Sequence, residues 1–377
     1  MFKNISIILF LFIFFFNAQA STRDTSAEQA IMLEFQTGQI ILEKNADTFM
    51  KPASMAKLMT IYIVFEKLKN KELSLEDKFV VSEKAWKKRG SRSFLEPGQN
   101  VTISDLLRGV IVQSGNDAAI VLAEGISGTE DIFSDLMNSV ARELDMKNTI
   151  FKNSTGWPHV DQYTTSRDLA LLSIEIIKKF PELYKIFAEK KFTFNGITQG
   201  NRNPALYNNL VFGADGLKTG HTQESGYGLV ASALRDNLRF ILVLNGMNTQ
   251  RQRKEESSRL LNSAFREYKR INLYKAGDRV VDANIWLGTK DKTSLIVKED
   301  INLLLNSVDQ RELKVSAKWN DPLIAPLLSG DESGRLIINL SDSNMEFPLY
   351  VEKTISKKRF FNRIFSTIEY LIWGSIK

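Results

Sequence analysis

The stretch from Ala30 to Lys44, AIMLEF-QTG-QIILEK, sets two apolar runs of strand length around a polar turn with a glycine, which predicts a β-hairpin. Pro52 then opens a helix, a position where its missing N–H is no loss. Leu58 to Phe65 are apolar on nearly every face apart from Thr60, which predicts a central, buried helix. Ile103 to about Phe180 reads as mainly helical. Ser104 is the expected cap of DLLRGVIVQ, Thr129 that of EDIFSDLMNSVAREL, and Thr165 with Asp168 forms a capping box before LALLSIEIIKKF.

A loop-rich stretch is expected up to about Asp215, followed by three β-type segments, GLKTG, YGLVASAL and RFILVLNGM. The polar link Arg235-Asp236-Asn237 makes the last two a hairpin, and a helix, ESSRLLNSAFREY, ends near Tyr268. After about Lys275 the pattern becomes short strands spaced by turn residues (RVVDANIWLG, TSLIVK, ELKVSAKW, RLIINLS), as in a small all-β domain. The expected architecture is α/β or α+β first, then β.

Both chain ends differ from this body. Residues 1–20 read as a secretory signal, with Lys3 ahead of the apolar run Ile5 to Phe16 and Ala18-Gln19-Ala20 as a small-x-small cleavage site. The run is short against the roughly 20 residues of a membrane span. In Ser356 to Lys377, Phe361, Ile364, Phe365, Ile368, Leu371 and Ile372 fall on one helical stripe. Lys357, Lys358, Arg359 and Arg363 cluster at its start, as in a helix lying in an anionic membrane surface. A helix docked on the protein's own core is the other reading of that pattern.

Composition narrows the chemistry. At 377 residues, 43% of them hydrophobic, the chain can bury a large core, and two domains are expected. The net charge of +6 comes from mixed charges, which argues against nucleic-acid binding. With no cysteine, disulfides, thiolate catalysis and Cys-based zinc sites are excluded. His159 and His221 are the two histidines, so a three-His zinc site is impossible, and no cofactor or metal is expected. A nucleophilic serine here needs a base other than histidine.

In KPASMAKLMT, Ser54 and Lys57 stand three residues apart on a helix, within reach of each other. Burial by the apolar run disfavours the ammonium form and can turn Lys57 into the base that serine requires. An ordinary helix with one snorkelling lysine would also explain this pair alone. Ser114-Gly115-Asn116, between two apolar helical segments, and Lys218-Thr219-Gly220, on an expected strand, change that reading. Each is weak by itself, but their order, spacing and context together are specific.

With these three motifs the sequence resembles the serine penicillin-recognising enzymes, and more narrowly the D-alanyl-D-alanine carboxypeptidases, or low-molecular-mass penicillin-binding proteins. The resemblance extends to RGSRSFLEPGQNVTISDLLRGVIVQSGNDAA, TTSRDLALL, GLKTGHTQESGYGLVASA, the β-rich part and the tail. It implies a signal peptide (1–20), a transpeptidase/β-lactamase-like catalytic domain (21–273), a β-rich domain (274–355) and an anchoring helix (356–377). It also implies a periplasmic enzyme attached peripherally to the inner membrane by that helix.

In that family, the resemblance implies, Ser54 attacks the bond between two terminal D-alanines of a peptidoglycan stem peptide. Lys57 is the general base, and Ser114, in reach of both, relays the proton to the leaving amine. Asn116 holds Lys57 and the substrate amide. The backbone N–H groups of Ser54 and His221 form the oxyanion hole. Lys218, Thr219 and Arg253 receive the free carboxylate, with Arg251 as the competing choice. Gly220 lets the substrate pass close to the strand. The imidazole of His221 carries no role, and His159 is either substrate-side or structural. β-Lactams are expected as covalent inhibitors.

Two alternatives remain at this point. A class A-like β-lactamase shares the motifs, but no Glu-x-x-Leu-Asn occurs between Ser114 and Lys218; Glu143 is followed by Leu-Asp-Met-Lys. A catalytically silent cell-wall-binding scaffold would usually have lost the serine or the lysine, and both are present.

Overall fold

The computed structural model describes residues 24–341 and 343–358; the expected signal segment and the tail from residue 359 onward lie outside the described residues. In chain order come β1 (Gln29–Glu34), β2 (Ile40–Lys44), a 3-10 turn (Ala53–Ala56), α1 (Lys57–Lys69), β3 (Lys78–Val80), α2 (Glu83–Lys87), β4 (Asn100–Thr102), α3 (Ile103–Ile111), α4 (Asn116–Ser127), α5 (Glu130–Glu143), α6 (Ser166–Lys179) and α7 (Pro181–Tyr184). Then follow β5 (Lys191–Phe194), β6 (Ile197–Gly200), β7 (Ala214–Thr222), β8 (Gly226–Arg235), β9 (Leu238–Met247) and α8 (Gln250–Glu267).

A five-stranded sheet, ordered β2-β1-β9-β8-β7, is antiparallel throughout. Along β1 the side chains alternate: Ile31 and Leu33 join the core of α1 and α6, and Ala30 and Met32 join the core under α8. With both faces covered, β9 is buried at almost every position, which explains why RFILVLNGM reads as continuous rather than alternating. The β8–β9 link is a two-residue turn in which Asp236 (φ 46°) and Asn237 (φ 64°) take the left-handed conformation that such hairpins require. Helix α1 is buried from Lys57 to Phe65, as its all-round apolar pattern predicts.

Some expectations are corrected. Thr102, not Ser104, caps α3, accepting from the Asp105 N–H. The stretch before Asp215 contains the β5–β6 hairpin. Helix α8 begins at Gln250, earlier than its apolar stripe suggests, because Thr249 caps it with a hydrogen bond from Gln252 N. The last correction matters for the site, since it places Arg253 in the first turn of a helix.

The strand-rich second half starts with β10 (Tyr268–Tyr274) and continues through β11 (Arg279–Trp286), β12 (Lys292–Ile296), β13 (Ile301–Asn306), the short α9 (Ser307–Glu312), β14 (Lys314–Trp319), β15 (Leu323–Ile324), β16 (Glu332–Asn339) and β17 (Asn344–Val351). β10 pairs with β13, while β14-β16-β17-β12-β11-β15 form a six-stranded sheet over its own core of residues such as Ile285, Leu295, Leu305 and Leu336. Arg270 on β10 reaches back to the fully buried Glu34 of β1 and ties the halves together. No helix among the described residues is long and apolar enough to cross a membrane.

Candidate active site

The site lies where α1 begins, at the free edge of the five-stranded sheet. Pro52 (φ −66°) leads into the 3-10 turn that carries Ser54, and Ala53 takes φ 46°, an uncommon conformation for a residue with a side chain. The turn fits because its neighbours give way. A Cβ on Gly220 of β7 would sit 3.0 Å from Pro52 O and 3.2 Å from Ala53 Cβ. A Cβ on Gly156 would lie 1.7 Å from Ala53 O. On this side Gly220 makes room for the nucleophile's turn, and it also lines the cleft.

Lys57, fully buried, follows Ser54 by one turn, and its Nζ is 3.0 Å from Ser54 Oγ. Nζ also donates to Asn116 Oδ1 and to the Thr155 carbonyl, each at 2.7 Å. Asn116 Nδ2 donates to Arg89 O at 2.8 Å, so the amide orientation is set and Oδ1 must be the acceptor on Lys57. Both of these partners can only accept. A neutral amine therefore gives its two N–H bonds to them and leaves its lone pair for the Ser54 hydroxyl. Burial pulls the Lys57 ammonium down to about 7; Arg202 and Lys88 push the same way, against Asp117 and Glu130.

Ser114 (φ 62°) lies in the link between α3 and α4, and its Oγ accepts from Lys218 Nζ at 2.7 Å. Its hydrogen bond therefore runs to the lysine of β7. Lys218 also donates to Thr219 O at 3.1 Å. Burial first, then the charges of Lys57, Arg202 and Arg253, hold its ammonium well below the usual lysine range.

Ser54, Ser114, Thr219, Gly220, His221 and Arg253 line a single cleft of about 740 Å³. Arg202, Tyr207 and Lys254 line it too, and no carboxylate does so among the described residues. Arg253 is buried, with its guanidinium 5.5 Å from the Tyr227 ring. Arg251 points away, 85% exposed and bound to Glu255 at 2.7 Å. Geometry thus separates the two arginines that the sequence leaves as competitors. The His221 ring stacks on Tyr227 with centroids 3.9 Å apart. His159 does not line the cleft: its Nδ1 accepts from Asp161 N at 3.1 Å and its carbonyl from Lys51 Nζ at 3.1 Å.

A cationic cleft with a serine–lysine pair and a third hydroxyl is equipped to accept an acyl group from an anionic substrate. The family model described as D-alanyl-D-alanine carboxypeptidase matches residues 16–249. The chain belongs to this family. A second model, the C-terminal domain of penicillin-binding protein 5, matches residues 268–357. The D-alanyl-D-alanine carboxypeptidase DacA of Escherichia coli K12 is 36% identical over 92% of this chain and 87% of its own length. The solved carboxypeptidase DacD from Francisella tularensis superposes with a TM-score of 0.79 at 32% identity, covering 94% of this chain and 98% of that one. Penicillin-binding protein 5 from Haemophilus influenzae gives a TM-score of 0.76 at 35% identity, covering 89% and 98%. The fold expectation, a peptidase of this family followed by an all-β domain, holds.

Several residues of this serine peptidase site carry no sequence signal. Arg202 sits in the loop NRNPALYNN and donates to Ser91 Oγ at 2.6 Å across the cleft mouth. Glu130, buried at the start of α5, accepts from Ser154 N at 3.2 Å and Ser154 Oγ at 2.8 Å, and its other oxygen is 2.9 Å from Lys84 Nζ. Thr60 Oγ1 donates to Ser154 O at 2.7 Å. These bonds fix the segment whose next carbonyl, Thr155, receives Lys57. Asp117, wholly buried, accepts from Ser93 N at 2.8 Å and anchors the loop that Asn116 contacts. Acids at helix starts are common capping features, so neither acid stands out before the chain is folded.

Proposed function

We propose that this chain removes the terminal D-alanine from peptidoglycan stem peptides ending in D-Ala-D-Ala, through an acyl-enzyme on Ser54. The substrate carboxylate enters beside Lys218, Thr219 and Arg253, where a buried anion finds partners. Its charge restores the ammonium that burial disfavours on Lys218. Lys57, in the neutral form that burial makes accessible near pH 7, takes the Ser54 proton as Oγ attacks the scissile carbonyl. The backbone N–H groups of Ser54 and His221 receive the oxyanion, a contribution typically of about 2.7–4 kcal/mol per donor. Lys57 returns that proton by way of the Ser114 hydroxyl to the leaving D-alanine amine, the C–N bond breaks, and Lys57 is neutral again. Water then attacks the ester with Lys57 as base, releasing the shortened peptide and regenerating Ser54.

The observation that carries this reading is the pair of obligate acceptors on Lys57, which leaves the third direction of Nζ to Ser54. β-Lactams, as carboxylate-bearing acylating agents, enter the same way and remain on Ser54, since no Glu-x-x-Leu-Asn occurs between Ser114 and Lys218 to speed their release. The test is D-alanine released from a pentapeptide by the intact protein and by Ser54→Ala. Release by the first and none by the second is expected; equal release by both would refute the assignment.

The domain limits and the location belong to the same proposal: a periplasmic enzyme held on the inner membrane by residues 356–377. Deleting that segment should give an active protein that no longer sediments with membranes.

A further inference from the structure

β7 is the edge strand of the five-stranded sheet and pairs with β8. Ala214 stands opposite Ala233 and Gly216 opposite Ser232, so Asp215 is an extra residue, a bulge. From Gly216 onward the two strands pair residue for residue to Thr222. In that register Lys218 stands opposite Val230, which belongs to the core of α1 and α6, whereas Leu229 and Ala231 belong to the core under α8. Cross-strand partners share a face, so a slip of one residue would turn Lys218 away from the cleft.

No anion draws Lys218 into place. Its Nζ donates to Ser114 Oγ and Thr219 O, both uncharged, and no carboxylate lines the cleft among the described residues. Its position therefore depends on its strand, and a bulge on an edge strand is where pairing is weakest.

A polar cluster from three other elements holds that bulge. Asp215 Oδ1 accepts from Tyr184 Oη, at the end of α7, at 2.8 Å and from Arg239 Nη1 of β9 at 2.9 Å. Asp215 Oδ2 is 2.7 Å from Arg239 Nη2, which makes the pair bidentate. Arg239 Nη1 also donates to Ser232 Oγ of β8 at 2.5 Å, the residue opposite Gly216. Burial, and then the Asp215 charge, raises the Tyr184 phenol well above its usual range, which keeps it a donor. Asn203, 1% exposed, donates through Nδ2 to Gly216 O at 2.7 Å. A Cβ on Gly216 would lie 2.8 Å from Tyr184 Oη, so the strand is held closely at this point. None of these side chains lines the cleft.

On the reading above, in which Lys218 receives the substrate carboxylate, we propose that Asp215, clamped by Arg239 and Tyr184 with Asn203 beside it, is a positioning residue that sets the preference for substrates ending in a free carboxylate. It locks the bulge of β7 and so fixes how Lys218 enters the cleft. Asp215 touches no substrate atom and acts through Gly216 and Leu217.

The test compares kcat/KM of the full chain on two acyl-D-alanyl thioesters, one of mercaptoacetate and one of mercaptoacetamide. They differ in the free carboxylate alone, and both are reactive enough to acylate a serine. The intact chain should prefer the acid. Asp215→Asn keeps the size of the side chain but loses the ion pair, and the preference should fall about tenfold, mainly through KM. Tyr184→Phe removes one hydroxyl, leaves the packing, and should lower the preference about threefold even if Asp215→Asn does not fold. Both rates falling together at an unchanged ratio, in whichever variants fold, would make the cluster structural support and overturn the proposal. Equal rates on the two thioesters by the intact chain would overturn the role of Lys218, and turnover of neither would overturn the acyl-enzyme reading itself.

Discussion

Asn116 Oδ1 accepts a hydrogen bond from Lys57 Nζ at 2.7 Å, although the two residues are 59 positions apart. The partner's lack of charge is as important as its position. A neutral acceptor orients the amine without the full charge that would strongly favour the ammonium, so burial can hold the group at about 7. Below that pH Lys57 is protonated and cannot take the Ser54 proton, so kcat/KM should rise with pH through about 7. Asn116→Asp puts a carboxylate against the amine and raises its pKa. The rising limb should move upward by about one unit or more, with at least tenfold less activity at pH 7 and partial recovery in alkali. A profile that keeps its limb would exclude Lys57 as the base.

Glu130 acts on the same amine through Ser154 and Thr155. Its charge, one of those raising the Lys57 pKa, is lost in Glu130→Gln, while the amide can still accept from Ser154. The acid limb should shift to lower pH with only a few-fold change in kcat. Glu130→Leu removes the acceptor as well and should lower kcat more. A purely structural role would lower stability in both variants and leave the limb in place.

Arg253 and Arg251 provide a paired control. Removing a buried cation that meets the substrate carboxylate typically costs 2–5 kcal/mol, so Arg253→Ala should cut kcat/KM for the peptide by about a hundredfold. Arg251→Ala removes an exposed pair with Glu255 and should leave the kinetics unchanged. Steady-state measurements on the two variants suffice, and the reverse ranking would displace the carboxylate site.

Gly156→Ala should be among the more damaging small substitutions near the site. The residue has φ 75°, and the new methyl would meet the Ala53 carbonyl at 1.7 Å. We expect a loss of about 2 kcal/mol or more in chemical denaturation, with Ser54 acylation by a fluorescent penicillin slowed in whatever protein folds. Gly220→Ala, whose nearest neighbour is at 3.0 Å, should cost less.

What the sequence by itself determined is what depends on near neighbours. Ser54 and Lys57 share a face because residues three apart lie one above the other on a helical turn, most closely on the 3-10 turn that carries Ser54. The apolar surround of α1, the Thr129 and Thr165 caps and the Asp236-Asn237 turn follow from equally local rules. Strands β10 and β13 escaped that reading because they pair with each other across two intervening strands, and β17, although it forms a hairpin with the adjacent β16, because Pro348 interrupts its pattern. Tertiary structure alone decided that Lys57 faces two uncharged acceptors, that Ser114 bonds to Lys218, that Arg253 rather than Arg251 enters the cleft, and that Arg202 joins it. The reason is physical: the charge state of an amine and the partner of a hydroxyl depend on how much water remains and which dipoles stand nearby. Both are set by segments that meet only when the sheet closes against α1.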